Sequence, residues 1–496
     1  MADTRVVVIG AGATGLTLAV DLARRGVEVV IFEKGAEPFA GSRGKGLQPR
    51  TLEVFDDLGV VEAISAIARP YPEVDVYDGE NKIAEHVMSE VREATEDVPH
   101  PNLLMLPQWK TEEILRERLA GLGVRVSFGR EVTGFEQDED GVTVALADGE
   151  TVRASYLVGA DGGRSLVRKS LGIGFEGDTF ETERMIVGDV RAAGLGRDRT
   201  RVWVRDGAMA LAMFPLPGTD HFQFMAPLAA DDPPFLTDSA FDHLVGRVTS
   251  GVTLKEIVWR SLYRVNIRMA ARFRSGRVFL AGDAAHVHSP AGGQGLNTGV
   301  QDAYNLGWKL AAVLAGAPAA LLDTYEAERL PVAAGVLGIS TALYRRAGEG
   351  QAEAFRRGEE TQQLGLAYPH SPLSEGPGSG LRAPNVRLAD GRELFDLLRG
   401  PHATLLAPAG HPSPPAGIKI VAVDEPLRRA FGITSGDVLL IRPDGYVGFH
   451  GTPGKLESYL PALRTAQGRQ PGSRPEKAMS RSSGGAPGSA GTSRPM

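Results

Sequence analysis

The chain has 496 residues, 42% of them hydrophobic, with no cysteine and a formal net charge of −7. Length and composition fit two or three folded domains, the acidic balance argues against a nucleic-acid surface, and the lack of cysteine excludes disulfides and thiolate metal sites. No run approaches the ~18 unbroken apolar residues of a membrane span, and Arg5 leads into a Gly-rich turn, not a signal-peptide core, so the expectation is a cytoplasmic protein with neither membrane nor nucleic-acid partners.

The chain opens as strand, turn, helix, strand. Residues 4–9 are a β-branched run, 10–15 a turn, 16–25 a helix closed by Gly26, and 27–32 an apolar strand. Unbroken apolar strands indicate burial on both faces, as in a parallel sheet. The turn, in "VVVIGAGATGL", carries Gly10, Gly12 and Gly15 in G-x-G-x-x-G spacing, with Ala13 and Thr14 inside it. Gly10 would allow the turn, Gly12 the close approach of a pyrophosphate, and Gly15 the packing of helix on strand. The helix N-terminus would offer free N–H groups and a partial positive charge. Glu33, followed by Lys34, stands near the twenty-residue offset of a ribose-binding acid.

Residues 111–121 read as a helix, and 124–128 and 141–146 as strands. A short buried strand at 155–160 ends at Asp161-Gly162, in "YLVGADGGRSLVRKSLGI", with Ser165 and Arg168 close behind. From 176 to 268 the texture is that of a half-exposed antiparallel sheet, with strands at 201–205, 209–214, 221–226 and 257–267. In the last of these, Trp259, Tyr263, Val265 and Ile267 share one face. Residues 277–281 return to the buried style and lead into "AGDAAHVHSPAGGQGLNTGVQDAYNLGWKL", where Gly282-Asp283 again closes a strand. Val300, Ala303, Gly307, Leu310 and Leu314 then form one helical stripe. Residues 323–348 are predicted helical, and 371–380 a linker. A small third unit over 381–463 carries a strand at 418–423 and a hairpin turning at Pro443-Asp444-Gly445. The tail 464–496 has the composition of a disordered segment.

Two strand-ending acids and a glycine loop suit a long polyhydroxylated ligand. FAD fits, because its ribityl chain places hydroxyls between pyrophosphate and ring. Glycines 292, 293 and 295 would let the backbone lie flat against a wide ring, and the helix starting near Asn297 would add its positive end there. His286 and His288 invite a metal reading, but a third ligand is missing and Asp283 serves better on a ribityl oxygen. No metal is expected; His286 is read as packed or flavin-adjacent, and His288 as facing the reaction cavity.

With these three motifs in this order, the chain resembles the single-component FAD-dependent aromatic hydroxylases, the group A flavoprotein monooxygenases typified by p-hydroxybenzoate and phenol hydroxylases. It looks closest to the branch that oxidises aromatic polyketides in antibiotic biosynthesis. "SRGKGLQPRTLEVFDDLG" and "LLDTYEAERLPVA" add weaker matches. The resemblance implies that Arg43 lies near the flavin and its pyrophosphate, and that Gln108 contacts the ribityl chain. Asp283 would hold a ribityl hydroxyl, and Pro290, Gly293, Gly295, Leu296 and Asn297 would line the isoalloxazine. Asp161 and Gly162 would serve both FAD and a transient nicotinamide, NADPH by likeness, with NADH left open. No side-chain base is assigned.

The implied fold class is α/β. A Rossmann-type FAD-binding domain with a parallel sheet (1–75, 101–175 and 270–370) is interleaved with a mostly antiparallel substrate-binding sheet (76–100 and 176–269). The third unit resembles a thioredoxin-like domain, on "GLRAPNVRLADG" and "VLLIRPDGYV"; without cysteine its role is structural or dimer-related. Trp203, Met213, Phe214, Phe222 and Phe224 are candidate walls of an aromatic substrate pocket. The implied activity is NAD(P)H- and O₂-consuming hydroxylation of a phenolic, polyketide-like molecule through a flavin C4a-hydroperoxide. Baeyer–Villiger insertion, epoxidation, and sequestration of an aromatic ligand without oxidation remain alternatives.

Overall fold

The computed structural model describes residues 4–228, 236–289, 292–348, 357–412 and 417–462. Pro290 and the tail 464–496 lie outside the described residues. The strand Thr4–Ile9 sits between Thr151–Gly159 and Val29–Glu33 and runs parallel to both. Val278–Leu280 and Ser127–Phe128 extend the sheet, again in parallel, on either side. Val6, Val7 and Val8 are fully buried, as an apolar run covered on both faces must be.

Two helices pack on this sheet at unusually close range. An added Cβ at Gly299, in the helix Gly295–Leu314, would lie 2.4 Å from Thr14 Oγ1 of the helix Ala13–Arg24. At Gly307 it would lie 2.3 Å from Asp21 Oδ2. The second contact is about two turns beyond the first along both chains. The helices therefore run parallel, and their positive N-terminal ends open side by side on one cleft.

The second sheet runs in the order His286–Val287, Thr253–Ala270, Phe175–Ala193, Phe222–Leu228, Ala208–Pro215, Thr200–Arg205, Val74–Asp78 and Asn81–His86. It is antiparallel except where Thr200–Arg205 meets Val74–Asp78. The boundary expected at residue 75 thus falls inside a strand of this second sheet.

The third unit is a four-stranded sheet ordered Ile418–Ala422, Ala403–Ala407, Val438–Ile441, Val447–Gly451. The first pair is parallel and the others antiparallel, the arrangement expected of a thioredoxin-like unit. Residues 371–380, read as a linker, are instead bound along its edge: Glu375 N donates to Gly448 O and Gly380 N to Val447 O. A buried ionic cluster joins this unit to the flavin domain. Arg442 pairs with Glu328 at 2.7 Å and with Asp444 at 2.5 Å, and Lys309 pairs with Glu328 at 2.7 Å. No described helix is long and apolar enough to cross a membrane.

Candidate active site

Gly10 and Gly15 are dictated by the protein's own packing. Gly10 has φ 101° and its added Cβ would lie 2.4 Å from Ala160 O; at Gly15 the Cβ would lie 2.0 Å from Gly10 O. Gly12 is different. Within 4 Å its added Cβ would meet one atom, Glu112 Oε1 at 3.7 Å. Gly12 caps the helix Ala13–Arg24 without a side-chain hydrogen bond, so no side chain at position 12 blocks the approach of a phosphate to that helix end. Glu33 accepts from Ala11 N at 3.0 Å and from Gly35 N at 2.9 Å, which fixes its carboxylate and leaves lone pairs for ribose hydroxyls. Lys34 is exposed just beyond it.

The next arm is the segment 41–48. Gly44 N donates to Gln108 Oε1 at 3.1 Å, and Gln108 Nε2 donates to Glu112 Oε1 at 2.8 Å. Gln108 is thus the clasp of the Arg43 loop. Arg43 is exposed, with its guanidinium 5.5 Å from the centre of the Phe39 ring. Burial pushes the Glu112 carboxyl up to about 7, against the opposing pull of Gln108 and Arg116.

Asp161 Oδ2 accepts from Leu166 N at 2.7 Å and Val167 N at 3.2 Å, while Oδ1 is buried without a partner. Gly162, at φ 78°, makes the turn beside it. Arg168 binds Gly163 O at 2.9 Å and Ala284 O at 2.8 Å, stitching the two strand-ending motifs together.

Gly282, at φ 62°, lies against Thr14 and donates its N–H to Asp302 Oδ2 at 3.0 Å. Asp283 opens onto the cleft. Desolvation deep in that cleft raises its carboxyl above the usual range, opposed by His286 and Arg43. An added Cβ at Gly295 would lie 3.8 Å from His288 Cδ2 and 4.0 Å from Asp283 Oδ1. Gly293 is exposed, and Gly295 and Leu296 are partly so. The first-turn N–H groups of Gly295, Leu296 and Asn297 have no acceptor among the described residues.

One expectation needs correction here and another is narrowed. The Asn297 side chain turns into the protein, so the part of this residue left for the ring is its backbone N–H. The side chain is fully buried, donating to Gly46 O at 2.9 Å and Gly293 O at 2.7 Å and accepting from Gln48 N at 2.8 Å. His288 turns away from the cavity to meet His286, Nε2 to Nδ1, at 2.9 Å, and His286 Nε2 meets Asp302 Oδ2 at 2.6 Å. Arg329 binds the other oxygen of Asp302 at 2.7 Å. Burial and the neighbouring His286 hold His288 down at about 3, so it stays neutral. Among the described residues no group of three or more metal-ligating side chains occurs.

On the substrate side, register decides which side chains face the flavin domain. Phe214, Gln223, Asp189 and Trp259 are cross-strand partners in one row. That row meets the segment 41–48: an added Cβ at Gly41 would lie 2.1 Å from the Trp259 ring, and Gln223 Nε2 donates to Ser42 O. Trp203, Met213, Phe222 and Phe224 lie on the opposite face, where Phe224 packs on Phe241 at 4.7 Å. Of the five expected pocket aromatics and methionine, Phe214 alone faces the flavin side. Sequence reasoning missed Lys45, Asp189 and Gln223. The available signal was a glutamine alternating with Phe222 and Phe224 in an otherwise apolar strand.

An uncapped helix end over a bare glycine, a ribose-ready carboxylate, an open aspartate and an exposed glycine loop fit the phosphate, ribose, ribityl and ring parts of FAD in order along one cleft. Fold and site together define a Rossmann-type flavoprotein with a sheet-walled chamber. The profile of the family described as "FAD binding domain" matches residues 3–340. A flavin-dependent monooxygenase of Mycobacteroides abscessus is 48% identical over 460 residues, covering 89% of this chain and 96% of the relative. A 12-dehydrotetracycline 5-monooxygenase/anhydrotetracycline 6-monooxygenase of Streptomyces rimosus is 36% identical, covering 93% and 98%. Aklavinone-11 hydroxylase, solved with FAD and aklavinone, superposes with a TM-score of 0.78 at 28% identity, covering 93% of this chain and 100% of that one. The chain belongs to the FAD-dependent aromatic hydroxylase family of flavoprotein monooxygenases.

Proposed function

We propose that the protein hydroxylates the aromatic ring of a phenolic, polyketide-like small molecule, with NADPH as electron donor and O₂ as oxygen source. The observation that carries this reading is the facing of two surfaces: parallel helix ends with the open Asp283 and Gly293 on one side, and the row of Phe214, Gln223 and Asp189 on the other. The relatives' names point to tetracycline-type molecules and aklavinone as substrates of those proteins. When bound, the flavin supplies the redox chemistry, passing electrons from the reduced nicotinamide to dioxygen.

The chain's own part is positional and electrostatic. Glu33 and Gly12 hold the nucleotide end, and Asp283 takes a ribityl hydroxyl. The first-turn N–H groups at 295–297 stabilise negative charge at the ring's pyrimidine edge. Phe214 and Met225 give the substrate an apolar wall, and the sheet keeps bulk water from the reacting atoms. The test is a panel of phenols and anthraquinone-type polyketides, scored for stimulated NADPH consumption and for a product heavier by one oxygen atom. Peroxide release without product across the whole panel refutes hydroxylation.

A further inference from the structure

We infer that Lys45 takes the proton of the substrate's phenolic hydroxyl and then holds the resulting oxyanion against the substrate sheet. This rests on the hydroxylase reading above and adds to it a residue and a charge state for the substrate. The placement comes from both sides of the chamber. Lys45 lies between Gly44, which packs against Leu296 and clasps Gln108, and Gly46, whose carbonyl accepts from Asn297. Its backbone therefore belongs to the flavin wall. Its side chain crosses to the opposite wall, where Nζ donates to Gln223 Oε1 at 2.5 Å and lies 3.8 Å from Met225 Sδ. The same nitrogen stands 3.9 Å from the centre of the Phe214 ring.

The surroundings are open where a ligand needs them to be. Lys45, Phe214 and Met225 are each partly exposed, whereas Phe222 and Phe224 on the other face are buried. Among the described residues the one oxygen that Nζ meets belongs to Gln223. An ammonium has three donors; one goes to Gln223 and a weaker one to the Met225 sulfur, so one remains for a substrate oxygen. Phe214 offers its π face to the cation and Met225 a soft apolar contact, a setting that suits a planar ring placed beside the charge.

The charges acting on Lys45 come from two other segments. Arg357 opposes its protonation and Asp189 favours it, while burial, the largest influence, pushes the amine down to about 7. Asp189 is itself fully buried beside Ser42, and burial pushes it up to about 7 against the opposing pull of Ser42 and Lys45. The pair is thus poised near neutrality, so a substantial share of Lys45 is free amine at pH 7 and can act as a base. The phenolic O–H bond breaks, its electron pair stays on oxygen, and the proton passes to the amine, leaving phenolate and ammonium in contact. The phenolate is the more electron-rich ring for attack on an electrophilic oxygen atom.

The test uses the FAD-loaded protein and alizarin, a planar dihydroxyanthraquinone whose ionised form absorbs to the red of flavin. In the wild type the bound dye should ionise at a pH about one unit below that of free dye, a tenfold shift. Lys45→Met and Lys45→Gln should abolish the shift while retaining bound FAD, and Lys45→Arg, which restores the fixed charge, should recover most of it. Should Lys45→Met shed its flavin, Lys45→Gln decides the matter. An unchanged midpoint in the uncharged variants overturns the role of Lys45 and leaves the hydroxylase reading intact. Failure of the wild type to bind the dye counts against both.

Discussion

Gly307 offers a quantitative check on the packing that aligns the two helix ends. Alanine in place of glycine in an exposed helix interior normally stabilises by about 1 kcal/mol. At 307 the added methyl would sit 2.3 Å from Asp21 Oδ2 and 3.1 Å from its Cγ. Asp21 cannot swing aside, because it is fully buried and bonded to Arg24 at 2.8 Å and to Arg25 at 3.0 Å. Overpacking of this kind costs about 1–3 kcal/mol, and disturbing a buried ion pair adds to it. Gly307→Ala should therefore destabilise by roughly 1–3 kcal/mol net and, by tilting the helix Gly295–Leu314, weaken FAD binding. The control is Gly338→Ala in the helix Asp323–Gly348, where an added Cβ meets nothing within 4 Å; it should gain about 1 kcal/mol. The assay is thermal unfolding of the two holoproteins side by side, with flavin fluorescence reporting release. Equal or greater stability for Gly307→Ala than for Gly338→Ala refutes the close-packed arrangement.

Asp283→Ala and Gly295→Val should each purify with little FAD, the first by losing the ribityl acceptor and the second by filling the space beside Asp283 and His288; a yellow, stoichiometrically loaded Asp283→Ala protein would overturn that placement. Glu112 lies beside Gly12 with its carboxyl at about 7. Its charged form is disfavoured, so the cost begins as pH rises past the ordinary value of 4.5 and is complete above about 7. FAD affinity, measured by fluorescence quenching, should fall as the solution passes from about pH 6 to pH 8, and Glu112→Gln should flatten that dependence; identical profiles for both proteins would exclude the effect. Arg442→Ala leaves Glu328 and Asp444 buried without their main counter-charge, which costs about 3–5 kcal/mol. Limited proteolysis should then clip the third unit from a still yellow body, and unaltered protease resistance would refute the role of the cluster.

What the sequence made legible was local. The strand 4–9, the glycine turn and Glu33 declare themselves because ligand, helix end and strand all lie within one βαβ unit. The strand-ending acids at 161 and 283 are legible for the same reason. Side-chain direction was not. Period two in 221–226 says that Phe222 and Phe224 share a face, but not which face looks at the flavin domain; that is fixed by the contact of Gln223 with Ser42, 181 residues away in the chain. His286 and His288 could not be read as a mutually bonded pair without Asp302 and Arg329, which helix packing delivers from beyond the loop. Lys45 hides for a similar reason: its partner Gln223 is 178 residues distant.

The stretch 371–380 has a consequence for how two copies of the chain could meet. By lying along Val447–Gly451, with Glu375 bridged to Phe449, it seals one border of the four-stranded sheet with main chain from the same molecule. A second molecule cannot add a strand there. Growth of the sheet into a continuous ribbon across a twofold axis has one route among the described residues, the outer strand Ile418–Ala422, where Ile420 stands 40% exposed.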